Sequence, residues 1–282
     1  MVLLVSRATL EPNRNERADR REIIGIADIL EASGYDRLAK RLRTCGSWDP
    51  GELGPGARRW PHPCNIRFCP PCQARLETKR FLDMRPKVQE TLGWMGGAAF
   101  LTLNAPSSTG TILERLSALR AALDELRKLQ AWKRTGGFKD KVGVVVSTEI
   151  SLGDMNPGHP HLHVFICGPD QHVVDQVAHW LLQGWVERTK GTTLAAQRLE
   201  TMGVDPDDWG PRLRYLFKGS QPRLAWPEPV LLEAVDALTS GRQFIQVLGL
   251  LRSARRGGCS GKAPTEGVFL RECRHNAGET TG

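Results

Sequence analysis

The sequence predicts an α+β fold, and three observations carry that prediction. Compact apolar runs at 98–103, 142–150 and 161–166 read as strands, the second of them rich in valine. Stretches around them repeat apolar residues at helical spacing. An interval at 44–71, rich in Cys, Pro, Gly and Trp, breaks both patterns and reads as a small loop-rich module.

Residues 1–24 are rich in Arg and Glu and are expected to form a flexible basic arm. Helical periodicity covers 23–42, with Ile24, Ile26, Ile29, Leu30 and Leu38 as apolar positions and a break at Gly34. Beyond the Cys-rich interval, 74–92 reads as a helix that the glycines of 93–97 end. Ile112, Leu116, Leu119, Leu123 and Leu126 form one stripe of an amphipathic helix. The stripe suits packing on the sheet, with a dimerising seam as the alternative. Residues 173–186 form another such helix, and 212–218 a further one with Pro211 in its first turn. Residues 229–252 hold one or two more around Gly241, and the tail beyond 257 is Gly-rich, basic and expected to be flexible. The expected units are therefore an arm at 1–24, a helix with the cysteine module at 25–92, a main domain at 93–256, and a tail at 257–282.

With 282 residues, 40% of them hydrophobic, the chain can fill a core, which excludes wholesale disorder. A formal charge of +8 tilts the expected partner toward a polyanion. The apolar start, Met1 to Val5, runs at once into arginines, unlike a signal peptide, and no run is long enough to span a bilayer. The expected location is the cytoplasm, without membrane partners, where seven cysteines serve as metal ligands or buried thiols rather than disulfides.

Four of those cysteines cluster: Cys45, Cys64, Cys69 and Cys72. The Cys69-Pro70-Pro71-Cys72 turn lets two thiolates converge on one ion, and the other two can complete a tetrahedron, the arrangement of structural Zn²⁺. His62 is an alternative to Cys64. A closed four-ligand site holds a fold together and is not the reaction centre.

The segment Gly158-His159-Pro160-His161-Leu162-His163-Val164-Phe165-Ile166 is the most informative. Alternate side chains of a strand share a face, so His161 and His163 point together while Leu162 and Val164 enter the core. Two imidazoles so placed can grip one divalent ion. Residues 151–158 form a plausible hairpin, which brings Glu149 beside the pair as a third ligand; otherwise Glu149 is an ordinary surface carboxylate. Two histidines and a carboxylate suit Mg²⁺ or Mn²⁺ with positions open for phosphate oxygens.

The chain has two tyrosines. Tyr35 reads as a packing or turn residue beside Gly34. Tyr215 lies in Arg212-Leu213-Arg214-Tyr215-Leu216-Phe217-Lys218, where a helix would put Lys218 on its face. A phenol with a pKa of about 10 is a poor nucleophile, and nearby cations favour its ionised form. Trp132-Lys133-Arg134-Thr135-Gly136-Gly137-Phe138-Lys139 mixes cations, rings and glycines. It reads either as a DNA-contacting loop using Lys133, Arg134 and Lys139 or as a solvated turn.

Taken together, these residues resemble the HUH endonucleases, which carry histidine, bulky hydrophobic and histidine on one strand and a Tyr-x-x-Lys helix downstream. The likeness is nearest to single-tyrosine replication initiators of rolling-circle plasmids. Phe100-Leu101-Thr102-Leu103 looks like their first motif, His159 to Val164 like the second, and Tyr215-Leu216-Phe217-Lys218 like the third. Arg67-Phe68-Cys69-Pro70-Pro71-Cys72 resembles a cysteine-rich segment found in many of them. The resemblance implies a central antiparallel sheet with helices packed against it. It also implies site-specific nicking and rejoining of a single-stranded or melted origin. Tyr215 and Lys218 would be catalytic, a divalent ion would sit on His161, His163 and Glu149, and Arg212 and Arg214 would contact DNA. A 5′-phosphotyrosine and a free 3′-OH would result, with host helicase and polymerase as partners.

The chain departs from that pattern at one point. Such initiators carry a glutamate four residues before the tyrosine, and here Pro211 stands there; Asp207 and Asp208 lie further upstream as substitutes. Related transposases often carry two tyrosines on the catalytic helix, and conjugative relaxases are usually joined to a helicase region. A non-catalytic zinc-containing DNA-binding protein is the alternative of a different class.

Overall fold

The computed structural model describes residues 14–45, 63–106, 110–153, 156–218, 224–240 and 243–253. Among these, two helices come first, α1 (Arg14–Ala32) and α2 (Asp36–Arg43), followed by α3 (Pro70–Leu92). Strand β1 (Gly97–Asn104) leads to α4 (Ile112–Lys128) and the short α5 (Gln130–Lys133). The hairpin β2 (Gly143–Gly153) and β3 (Asn156–Gly168) precedes α6 (Gln171–Thr189), β4 (Arg198–Met202) and α7 (Pro206–Tyr215). The last elements are α8 (Glu228–Thr239), β5 (Ile245–Gly249) and α9 (Leu250–Ser253).

The five strands form one antiparallel sheet in the order β4-β1-β3-β2-β5, so the fold is α+β with helices on the sheet, as expected. Strand β3 lies at the centre because its apolar residues serve both faces. Leu162, Val164 and Ile166 pack with Leu119, Leu123 and Leu126 of α4 and Val177 and Trp185 of α6. Phe165 and Cys167 point the other way, toward Val88 of α3 and Trp209, Leu213 and Phe217 at α7. A third cluster joins α1, α2, the four cysteines and α8.

All five residues of the α4 stripe are buried within this chain, at 3% exposure or less, which rules out the dimerising seam. Each such side chain contributes about 1.5–3 kcal/mol to burial. The helical stretch at 23–42 does break at Gly34, whose φ of +83° suits a residue without a side chain.

Three expectations change. Helix α1 begins at Arg14, so residues 14–24 are not a loose arm: Ile23 is buried, and Arg20 donates to the carbonyls of Cys45 and Arg43 at 2.8 and 2.6 Å. The tyrosine helix starts at Pro206 behind an Asp205 cap, which places Pro211 inside it and ends it at Tyr215, with 216–218 as a turn. Strands β4 and β5 are additions to the expected sheet, β5 lying in the interval that reads as helical. No described helix is long and apolar enough to cross a membrane. Residues 1–13, His62 and the tail beyond 257 lie outside the described residues.

Candidate active site

Strand pairing builds the triad. Glu149 is directly opposite His161, and Ser147 opposite His163, so both imidazoles and the carboxylate share one face of the sheet. Within it, His163 Nε2 lies 2.9 Å from Glu149 Oε2, and His161 Nε2 lies 3.5 Å from the same oxygen. The two Nε2 atoms are 2.9 Å apart. Their other ring nitrogens face hydroxyls: Thr102 Oγ1 is 3.2 Å from His163 Nδ1, and Ser151 Oγ 3.5 Å from His161 Nδ1. Hydroxyls that accept from Nδ1–H leave the Nε2 lone pairs aimed at one point.

That convergence fits a cation. Three lone-pair donors buried this closely repel one another unless a proton or a metal lies between them. Cis ligands of an octahedron with bonds of about 2.1 Å are about 3.0 Å apart, close to the spacings seen. Glu149, His161 and His163 can therefore hold a metal ion. Burial would raise the Glu149 pKa, but its interactions with His161 and His163 outweigh it and hold the carboxyl well below its usual range. Burial is also the main reason the His163 pKa is lowered.

Tyr215 completes the group. It is the last residue of α7 and 37% exposed, and its hydroxyl donates to Glu149 Oε2 at 3.2 Å. Its ring meets His163 edge-on at 5.0 Å between centroids and Phe100 at 6.3 Å. Lys218 Nζ lies 5.4 Å from the ring centroid, so the two residues still adjoin although the helix has ended. Of the nearby cations, Arg212 eases ionisation of the phenol as expected, but it is outweighed. Burial, then the charge of Glu149, push the phenol up to about 12 against the opposing pull of Arg212. The hydroxyl's hydrogen-bond partner is the Glu149 carboxylate rather than a cation.

The flanking arginines are engaged within the protein. Arg212 pairs with Glu200 of β4 at 2.7 Å and lies over the Phe100 ring, while Arg214 pairs with Glu77 of α3 at 2.8 Å. Glu200 also holds Arg198, at 2.6 Å. Arg212 thus borders the triad, whereas Arg214 is directed to α3. The sequence flags neither glutamate, since an acidic residue on an irregular strand or helix carries no signal of its own. Thr102 has one: it lies in the strand that looks like the first motif.

Two other expected contributions are not brought to the site. Asp207 and Asp208 lie in the first turn of α7, and Asp208 is seven residues, about 10 Å of helix, from Tyr215. The 132–139 loop precedes β2 at the end of the sheet away from Glu149. Trp132 is 7% exposed and stacks on Trp180 at 6.4 Å, and Phe138 meets Trp180 at 5.3 Å. Both rings are spent on packing, so the loop does not offer them to bases. Lys133 and Arg134 remain exposed.

The second cluster is of another kind. The Sγ atoms of Cys45 and Cys72 are 3.5 Å apart, those of Cys64 and Cys72 3.6 Å, and those of Cys45 and Cys69 3.4 Å. Disulfides are about 2 Å long, and all four thiols are free and buried. A tetrahedron with metal–sulfur bonds of about 2.3 Å has edges of about 3.8 Å, so the four can hold a metal ion. Cys69 caps α3, Pro70 and Pro71 open it, and Cys72 sits in its first turn, which fixes two ligands on one helix end.

No protein-family model and no solved structure matches the chain. Among curated proteins it is similar to one named "Protein rep" from Streptomyces lividans, at 23% identity over 171 residues. The match covers 51% of this chain and 34% of that protein, so the chain spans only about a third of the length of its relative.

Proposed function

We propose that this chain is a replication initiator of the HUH type, nicking and rejoining single-stranded or melted origin DNA through Tyr215. The observation that carries the reading is the 3.2 Å contact between the Tyr215 hydroxyl and the Glu149 oxygen that both histidines also approach. A nucleophile and a three-donor cation site are thereby within reach of one phosphate. The similarity to the Streptomyces Protein rep supports a replication-associated function and DNA as the partner.

Mg²⁺ or Mn²⁺, when held by His161, His163 and Glu149, would polarise the scissile phosphate and offset the charge that raises the phenol. The chain's own groups do the rest. Thr102 and Ser151 hold the imidazoles with Nε2 directed inward. The hydrogen bond to Glu149 orients Tyr215 Oη, and the exposure of Tyr215 lets its proton pass to water. Oη attacks phosphorus, a P–Oη bond forms as the P–O3′ bond breaks, and the leaving oxygen takes a proton from water. A 5′-phosphotyrosine and a free 3′-OH result, the latter available to a host polymerase behind a host helicase. Lys218, beside the phenol ring, favours its ionised form. Cys45, Cys64, Cys69 and Cys72 would hold Zn²⁺ as a structural centre.

The test is incubation with Mn²⁺ and a pool of random-sequence single-stranded oligonucleotides, followed by a denaturing gel. A covalent protein–DNA band from the wild type, absent with Tyr215→Phe while oligonucleotide binding persists, is the expected result. Binding without any band in the wild type would leave a non-catalytic DNA-binding protein as the better description.

A further inference from the structure

One buried side chain connects the cysteine cluster to the tyrosine. Gln73 is next to Cys72 in the first turn of α3 and is 3% exposed. Its Nε2 donates to the Phe217 carbonyl at 2.6 Å, across 144 positions of sequence. That carbonyl lies two residues beyond Tyr215, where α7 has already ended. Leu216 caps the helix, and the amides of Phe217 and Lys218 bond the carbonyls of Arg214 and Tyr215 at 3.0 and 3.1 Å.

A residue in the last turn of a helix depends on the segment after it for its position, because the terminal carbonyls lack helical partners and the end frays. Here the turn after α7 is anchored by the side chains of Leu216 and Phe217, each 1% exposed, and by Gln73. A second strut comes from the same helix. Glu77 lies four residues, one turn, after Gln73 and receives Arg214 Nε at 2.8 Å. The two struts grip the chain on either side of Tyr215.

On the reading of Tyr215 as nucleophile, we propose that Gln73 is a positioning residue that fixes the Tyr215 hydroxyl against Glu149. The cysteine-rich segment then sets the rate of attack as well as its own fold. Reacting atoms must approach within about 3–3.5 Å, and a misplacement of about 1 Å can cost about 100-fold in rate. A tyrosine on a fraying helix end would lose that much while the protein still binds DNA.

The experiment is single-turnover adduct formation at saturating concentration of an oligonucleotide recovered from the wild-type adduct. Gln73→Met removes the donor and keeps the length of the side chain. Its rate constant should fall between about 10- and 100-fold, with the final adduct yield and the oligonucleotide Kd unchanged. A wild-type rate constant would overturn the proposal, and so would a reduced yield at an unchanged rate, the mark of partial unfolding alone. Should Gln73→Met fail to fold, Glu77→Gln decides. Loss of that partly exposed ion pair should slow the rate constant by about two- to fivefold, and a wild-type rate constant would overturn the proposal. A wild type that forms no adduct at all sinks the nucleophile reading itself, and this proposal with it. Adduct from the wild type with an unaltered rate in the variants sinks only this proposal.

Discussion

The cysteine cluster and the Glu149–His161–His163 triad both gather donors within reach of one ion, yet they are built on opposite plans. The four thiols are all buried and are enough in number to complete a tetrahedron, and they join α1, α2, α3 and α8 in one apolar cluster. The triad, whose histidines are as buried as the thiols, supplies only three donors on one face of two strands, with the exposed Tyr215 beside it. A closed site has no position left for a substrate and serves the fold, whereas an open one is suited to chemistry. Damage to the first should therefore appear as lost structure, and damage to the second as lost reaction on an intact fold.

The largest expected effect comes from breaking the closed centre. Structural zinc contributes about 10–16 kcal/mol in small metal-dependent modules. Cys69→Ser with Cys72→Ser should abolish tightly bound zinc and lower the melting temperature, measured by elemental analysis and calorimetry. Wild-type zinc content and melting in that variant would remove the contrast between the two centres.

Next is the open centre. His163→Ala deletes a donor that touches both other ligands, and the loss should exceed the roughly 10–100-fold typical of outer contacts. Mn²⁺ affinity by titration calorimetry and adduct rate should both fall by more than about 100-fold. Melting without added divalent ion, and the metal content of the cysteine cluster, should stay as in the wild type. A variant that unfolds instead would mean the triad is structural.

Which of these features the sequence displays depends on their range. The triad is legible because it depends on local period: His161 and His163 are two apart on a strand, and a short hairpin carries Glu149 back to them. The cysteines are legible through spacing and composition. Strand β4 is not, because its polar residues fall on both faces at an edge where half the surface meets no core. Strand β5 is a short apolar run, which periodicity alone does not separate from a helix. The start of α7 is hard to place because Pro211 imitates an opening signal, whereas Pro206, behind Asp205, is the one that opens the helix. The Gln73–Phe217 bond has no local signature at all, since only the fold brings residues 144 positions apart together.

A smaller effect separates ligands from the groups that orient them. Thr102 Oγ1 reaches His163 Nδ1 from β1 at 3.2 Å, on the side of the ring away from the carboxylate. Thr102→Val keeps the shape and removes the oxygen, freeing the imidazole to present either nitrogen. Mn²⁺ affinity should drop by about 10-fold, the low end for such contacts, and excess Mn²⁺ should restore the adduct rate. A loss that excess Mn²⁺ does not restore would mean that Thr102 acts on the fold of β1 rather than on the ligand.

The smallest effect is expected from the loop at 132–139. Its rings are spent on Trp180, which leaves Lys133, Arg134 and Lys139 as its means of holding DNA. Gly143, where β2 begins after the loop, is six residues from Glu149, about 20 Å of strand. At physiological salt, charges are screened over about 8 Å, so the loop should not influence a phosphate seated at the triad. Replacing all three cations with alanine should leave the adduct rate on a short, saturating oligonucleotide within about twofold of wild type. Longer DNA that extends past the triad toward that end of the sheet should bind more weakly, and its salt dependence should become shallower with every phosphate the loop no longer neutralises. A salt titration on oligonucleotides of increasing length separates these cases. Unchanged affinity at every length would make the loop a solvated turn, and a loss on the shortest oligonucleotide would mean that DNA crosses the sheet by another path.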